Sequence, residues 1–440
     1  MLVRRNQSQS FFRPRRKRPY FRWAVMMAFF VGLLLIGNFA LTQPSELRAT
    51  TSRLFGDQPT PTPAAQTLVA EAEALYLNGD LEGAALLYAK AVEQRPNNID
   101  WVYDYGQILI DLDQPQPAEE LSKRLIEMYP NDPRGLTLRT RALAWMGQYT
   151  GAIPMGLSGL QLDPNFAPLY EALSRAYTGA TQWREAQEYG VKAIDLAPND
   201  VRSRWAYANA LMAVGARDEA IVELDLAIQI HPGFIPPYFE LAFLYLSANR
   251  DEEAIYLYDR VLGMQPRNVR ALLRQCEAYR KVGEFERALG LCQDAVRLDP
   301  TFVEAQYRLG TLMYNRREFQ AALQAFQACY DSNPTDLRLP CTYRLGLANY
   351  YVAQTQYNTC LQQGQTECRG QVKPNCEQAW SLLETSLTMT QSLTDVDQDT
   401  QIIQEGMAAL INDSACFGVG RLIQLPTPVA TLEATVESDS

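Results

Sequence analysis

Eight cysteines carry the most reactive chemistry in this 440-residue chain, and all lie between 276 and 416: Cys276, Cys292, Cys329, Cys341, Cys360, Cys368, Cys376 and Cys416. An even number confined to one region favours disulfides. Zinc is the rival, but seven residues separate Cys360 from Cys368 and Cys368 from Cys376, which is no zinc-ribbon spacing. The only histidine, His231, is distant in sequence, and its solitude removes His-based triads as well as His-rich metal sites. Asp395, Asp397 and Asp399 are spaced like the opening of a calcium loop. Thr400 stands where that loop needs glycine, however, and Glu405 falls one place early. An acidic entry to a helix N-terminus accounts for the same residues. No phosphate loop and no Gly-x-Ser-x-Gly is present, and pairs such as Glu252/Glu253 read as solvated helix surface. The expectation is a chain with no catalytic residue, no metal and no cofactor.

What positions these groups is a ruler of 34 residues. Prolines recur at Pro96, Pro130, Pro164, Pro198, Pro232, Pro266, Pro300 and Pro334. Twelve residues before each stands an alanine: Ala84, Ala118, Ala152, Ala186, Ala220, Ala254, Ala288 and Ala322. Two linked positions filled eight times out of eight make an internal repeat, and the repeat decides the fold. In the unit 269–302, Leu272, Cys276 and Tyr279 share one helical face, and Gly283 supplies a left-handed cap. Phe285, Ala288, Leu289, Cys292, Ala295 and Val296 form a second stripe, stopped by Asp299-Pro300. Each unit is therefore a helical hairpin, and small residues at its eighth and twentieth positions let the two backbones approach.

This pattern resembles the tetratricopeptide repeat (TPR) family over residues 65–336, as eight units beginning at 65, 99, 133, 167, 201, 235, 269 and 303. The resemblance implies an all-α solenoid, a right-handed superhelix of helical hairpins, acting as a non-catalytic scaffold for a protein or peptide partner. It also implies a ligand-facing wall formed by positions 2, 5, 9, 12 and 13 of each first helix. Carried onto this chain, these include Tyr103, Arg141, Trp145, Glu171, Arg175, Arg202, Trp205, Asn209, Phe239, Phe243, Arg270, Glu277, Arg280, Tyr307 and Tyr314. Aromatics mixed with arginine have the composition of binding hot spots; the plainer alternative is packing against the next repeat. The lysine–asparagine clamp for a C-terminal carboxylate is missing, since only Trp205/Asn209 comes near it. The third unit departs most from the pattern, with Thr140, Pro154, Gly156 and Gly159, so softer packing and a hinge are expected near 150–190.

Within the hairpin 269–302, Cys276 and Cys292 stand equidistant from the turn and face each other, as a bridge or as two buried thiols. Cys329 with Cys341 would tie the eighth unit to a ninth. That ninth unit reads as a first helix at 341–353, a polar segment holding Cys360, Cys368 and Cys376, a partner helix at 377–390 and a further helix at about 399–412. Together, 337–416 form a Cys-rich helical cap. The last residues, 417–440, read as a disordered acidic tail.

Residues 1–22 hold eight basic side chains and no acid, which leaves 32 basic against 50 acidic residues in the rest, a net charge of −18. Such a body repels a phosphate backbone, so nucleic acid is not an expected partner. Trp23–Leu41 is uncharged for 19 residues, enough for one membrane span behind a basic flank. This predicts a single-pass signal-anchor helix with a cytoplasmic N-terminus. The Pro/Thr-rich linker 42–64 would then hold the repeats outside the membrane. A cleaved leader is the alternative, and the length of the run points to a retained anchor. In layout the chain resembles anchored bacterial repeat proteins of envelope, pilus or secretion assembly. A second functional reading is a cell-wall or glycan binder that stacks sugars on Trp145, Trp205 and Tyr307.

Overall fold

The computed structural model describes residues 63–393 and 396–418, and among these every regular element is an α-helix. The first two hairpins are α1 (Ala65–Leu77) with α2 (Leu81–Gln94) and α3 (Ile99–Asp111) with α4 (Pro115–Met128). Next come α5 (Pro133–Trp145) with α6 (Tyr149–Leu162) and α7 (Ala167–Gly179) with α8 (Trp183–Leu196). The fifth and sixth are α9 (Val201–Ala213) with α10 (Arg217–Ile230) and α11 (Pro236–Ser247) with α12 (Asp251–Met264). The series closes with α13 (Val269–Lys281) and α14 (Phe285–Leu298), then α15 (Val303–Asn315) and α16 (Phe319–Asp331). Each helix packs on its hairpin partner and on the next unit, so stability is distributed along the array.

Local chemistry sets these boundaries. The residue before each of the first seven prolines has φ between −128° and −142°, the extended backbone a following proline enforces. That ends every second helix at the same place. Asn98, Asp132, Asp200 and Asn268 then cap the next first helix through their side-chain oxygens. Between the two helices of each unit one residue is left-handed: Gly79, Asp113, Gly147, Thr181, Gly215, Asn249, Gly283 and Arg317. All eight alanines of the repeat are wholly buried, because there the helix pair has no room for more than a methyl group.

The third unit differs from its expected looseness. A Cβ on Gly156 would fall 2.6 Å from the Leu173 side chain, and one on Gly159 would fall 2.7 Å from that of Leu169. Leucines of the following repeat fill the space that the glycines vacate. Thr140 is buried with its hydroxyl bonded to the Leu136 carbonyl.

After α16 the pattern lengthens into α17 (Arg338–Gln362), α18 (Cys368–Thr390) and α19 (Asp397–Asn412). The segment expected to interrupt the ninth unit instead continues both helices and turns at Gly364, where φ is +74°. Cys368, Val372 and Cys376 recur every four residues and supply the buried face that makes it helical. Four disulfides join Cys276–Cys292, Cys329–Cys341, Cys360–Cys368 and Cys376–Cys416, with Cα separations of 5.4–5.8 Å. α19 lays Ile403, Met407 and Leu410 onto the same core as Tyr343, Leu347 and Leu383, closing the end of the solenoid.

The membrane placement needs correction. Among the described residues no helix is long and apolar enough to cross a membrane. Trp23–Leu41 lies outside them, as do the basic run 1–22, the linker up to residue 62 and the tail from 419. The single-pass topology, with the repeats held beyond a bilayer, is withdrawn on that finding.

Candidate functional site

The first helices of the repeats share one wall, and the structure divides it into two stretches of opposite character. Over repeats two to five the wall is closed. Arg141 on α5 donates through Nε to Glu171 on α7 at 2.6 Å, and its Nη1 donates to Gln107 Oε1 at 2.6 Å and to the Tyr103 hydroxyl at 3.2 Å. The Arg141 and Glu171 side chains are 6% and 2% exposed, so both charges are out of water. Burial alone would lower the Arg141 pKa, but Glu171 and Tyr103 outweigh it and the net shift is upward. Arg175 approaches the same Glu171 at 3.8 Å, and its guanidinium lies 4.0 Å from the Trp205 ring centre and 5.2 Å from that of Trp145. Rings rather than hydrogen bonds hold Arg175: its Nη1 is buried without a partner, and burial pulls its pKa down.

This stretch is sealed because the superhelix closes on itself. Arg202 on α9 donates two hydrogen bonds to the Asp111 carboxylate on α3 and one to the Tyr76 hydroxyl on α1, at 3.0 Å. Asp111 raises the Arg202 pKa well above its ordinary value against the opposing pull of burial. His231 packs on Tyr76 with ring centres 5.0 Å apart, and the Gln265 amide donates to the Gly79 carbonyl. Gly233 permits the approach, since a Cβ there would meet Gly79 N at 2.9 Å and the Leu77 carbonyl more closely still. Repeat one is thereby clasped to the junction of repeats five and six.

Over repeats six to eight the same wall is open. Phe243 is 59% exposed, and Arg270 and Arg280 are exposed as well. Phe239 lies under Arg270 at 5.3 Å. Glu277 joins Arg274 at 2.7 Å and Arg308 at 2.7 Å. Tyr307 rests on Phe326, and Tyr314 is packed among Phe319, Tyr351 and Arg344.

The fifteen wall residues thus separate. Tyr103, Arg141, Trp145, Glu171, Arg175, Arg202 and Trp205 belong to the sealed stretch, with Asn209 half-buried beside them. Phe239, Phe243, Arg270, Glu277, Arg280, Tyr307 and Tyr314 belong to the open one. Trp145 and Trp205 each have Arg175 against the ring, and Trp145 Nε1 donates to Asp113 at 2.6 Å. Trp205 is buried and offers no face to a sugar, whereas Trp145 is half-buried. The sequence reading missed Tyr76, Gln107 and Asp111, although they occupy positions 12, 9 and 13 of their repeats. Among the described residues no group of three His, Cys, Asp or Glu could hold a metal. Asp395 lies outside them, and Asp399 accepts a hydrogen bond from Tyr343 at 2.9 Å.

Stacked helical hairpins presenting one continuous wall define a solenoid scaffold. Tetratricopeptide repeat profiles match residues 75–142, 211–276 and 273–336. Over those residues the chain carries repeats of the tetratricopeptide repeat family. Among solved structures, the APC/C hetero-tetramer Cut9–Hcn1 is similar over 70% of this chain and 60% of its own, with TM-score 0.51 and 14% identity. The human IFIT1 dimer with PPP-AAAA is similar over 79% of this chain and 85% of its own, also with TM-score 0.51 and 14% identity. The chain spans only 60% of the length of the first, and at such identities the likeness is one of fold. No curated protein matches the chain.

Proposed function

We propose that this protein is a non-catalytic scaffold that takes a segment of a partner protein on the open wall of repeats six to eight. The observation that carries the reading is the contrast along one wall. The residues facing inward from repeats two to five are spent on one another, whereas Phe243 is left exposed beside Arg270 and Phe239. A large apolar side chain rimmed by charge is the usual anchor of a protein interface. An extended strand or an amphipathic helix would fit such a wall equally well. The sugar-stacking alternative loses the Trp205 platform, which is buried, and shares that of Trp145 with Arg175.

A photo-crosslinking residue placed at 243 tests this in the full chain. Adducts with a defined protein are expected from 243 and not from 205, which is sealed. Equal labelling from both positions, or none from 243, would remove the reading.

A further inference from the structure

The charges on the open wall are unevenly matched, and the mismatch identifies the chemistry of what binds there. Arg274, Arg308, Glu277 and Glu304 form a closed set of ion pairs: Arg274 reaches Glu277 at 2.7 Å and Glu304 at 3.2 Å, and Arg308 reaches Glu277 at 2.7 Å. Lys281 is occupied by Asp251 at 2.7 Å and by the Leu246 carbonyl at 2.6 Å. That leaves Arg270 and Arg280 on this wall without a carboxylate within ion-pair distance among the described residues. Arg344, beyond this wall on α17, is taken up in packing, its Nε buried and its guanidinium set against Tyr314 and Tyr343. Glu240, on α11, makes no ion pair among the described residues; burial holds its carboxyl above the usual range, and the Arg175 and Arg270 charges pull it partly back.

A strip with two unmatched, exposed guanidiniums is the local exception in a chain whose residues after 22 carry a net charge of −18. Resting on the reading of repeats six to eight as the docking wall, we propose that its occupant is an acidic protein segment carrying an aromatic or aliphatic anchor. The carboxylates would answer Arg270 and Arg280, and the anchor would cover Phe243. Guanidinium groups favour carboxylates through paired hydrogen bonds, and a positive strip speeds the approach of an acidic partner. A nucleic acid also offers anions, but it would have to approach a body that is strongly negative overall.

The test uses the full chain and fluorescence anisotropy with three labelled probes. One is a dodecapeptide of Glu and Asp with one Phe and one Leu; the second has every acid replaced by glutamine; the third is an oligouridylate of the same length. The acidic peptide should bind about tenfold more tightly than its glutamine counterpart, which corresponds to two exposed ion pairs. Arg270→Ala with Arg280→Ala should erase that difference, and Phe243→Ala should weaken both peptides. Both arginines are exposed, and losing the Arg270 stack on Phe239 removes only one weak surface contact, so the double variant should stay folded. Arg280→Glu, which leaves Arg270 in place, repeats the test with one charge reversed. Glutamine peptide bound as tightly as acidic peptide, yet lost in Phe243→Ala, overturns the acidic partner and keeps the docking wall. Failure of both peptides to bind overturns both. Oligouridylate bound more tightly than the acidic peptide, and lost with the arginines, overturns the proposal in favour of nucleic acid.

Discussion

Arg202 and Asp111 are 91 residues apart in sequence and joined by two hydrogen bonds, one of them 2.8 Å long. The pair joins repeat two to repeat five across the superhelix, and the Asp111 side chain is only 2% exposed. It turns an open spiral into a clasped one, so the inner wall of repeats two to five becomes interior. Removing the cation leaves a buried carboxylate with no counter-charge, which costs about 3–5 kcal/mol. Arg202→Ala should therefore release repeat one from repeats five and six. Amide exchange should rise sharply at 75–81 and 231–235 while α13–α16 stay protected. Unchanged protection at both segments would show that the clasp does not depend on this pair.

Glu171 is the hub of the sealed stretch, because Arg141 and Arg175 both turn to it. Glu171→Gln keeps the shape and the acceptor oxygen but deletes the only carboxylate within ion-pair distance of either arginine among the described residues. The expected loss is about 3 kcal/mol, the penalty for stranding buried charge. It should appear in denaturant unfolding as an earlier transition of the first five repeats. A shift below about 1 kcal/mol, the usual size for an exposed pair, would mean that water reaches the stretch.

Much of this architecture could be read from the chain. The alternation of Ala84, Ala118 and their successors with the 34-residue prolines fixes the helix pairs and their ends, because both act within one hairpin. The wall positions follow from the same register. The clasp does not, since Arg202 meets Asp111 only after small rotations between stacked repeats have accumulated over several units. No single repeat encodes that sum. Gly156 and Gly159 misled for a related reason: the residues that need the space, Leu173 and Leu169, belong to the next repeat. The helical continuation through Cys368, Val372 and Cys376 was legible in their four-residue spacing.

Asp104 on α3 should limit stability at neutral pH. Burial first, then the nearby Asp100 and Glu73, push its carboxyl from 3.8 up to about 6. A carboxyl whose pKa is raised on folding favours the protonated native state. Stability is therefore greatest below the unfolded value and is lost as pH rises from 3.8 to about 6. Asp104→Asn keeps the oxygen that accepts from Gln107 at 3.2 Å and removes the charge. It should stabilise the protein by about 2 kcal/mol at neutral pH and flatten the pH dependence across that window. Equal melting of variant and parent at neutral pH would contradict this.

Thr181 carries the least suitable residue of the eight left-handed turns. Its φ is +60°, and it is β-branched, where four of the other seven turns use glycine. An L-residue in this region costs roughly 1 kcal/mol, and branching at Cβ adds to it. Thr181→Gly should raise stability by about 0.5–1 kcal/mol despite the greater freedom it gives the unfolded chain. Gly215→Thr, the reverse change one repeat later, should lower it by a similar amount. Thermal melts of the two variants should move in opposite directions from the parent; movement in the same direction would show that backbone strain is not the controlling factor.

His231 makes the clasp sensitive to acid. The ring is buried between Tyr76 and Phe234, and its Nε2 has no hydrogen-bond partner. Burial first and the Arg202 charge second lower its pKa below 6.5, partly offset by the carbonyls of Leu77 and Tyr76 and by Asp111. A base whose pKa is depressed on folding contributes stability above its unfolded value. That contribution is lost as pH falls below 6.5 toward the folded value. Protonation would place a second cation beside Arg202 with no new carboxylate to receive it. Exchange at 75–81, corrected for the intrinsic rate, should therefore be faster at about pH 5 than at neutral pH. His231→Gln should abolish that difference while leaving the slower acid response of the carboxylates in place. If the difference persists in the variant, protonation elsewhere opens the clasp, and the histidine is only a packing residue.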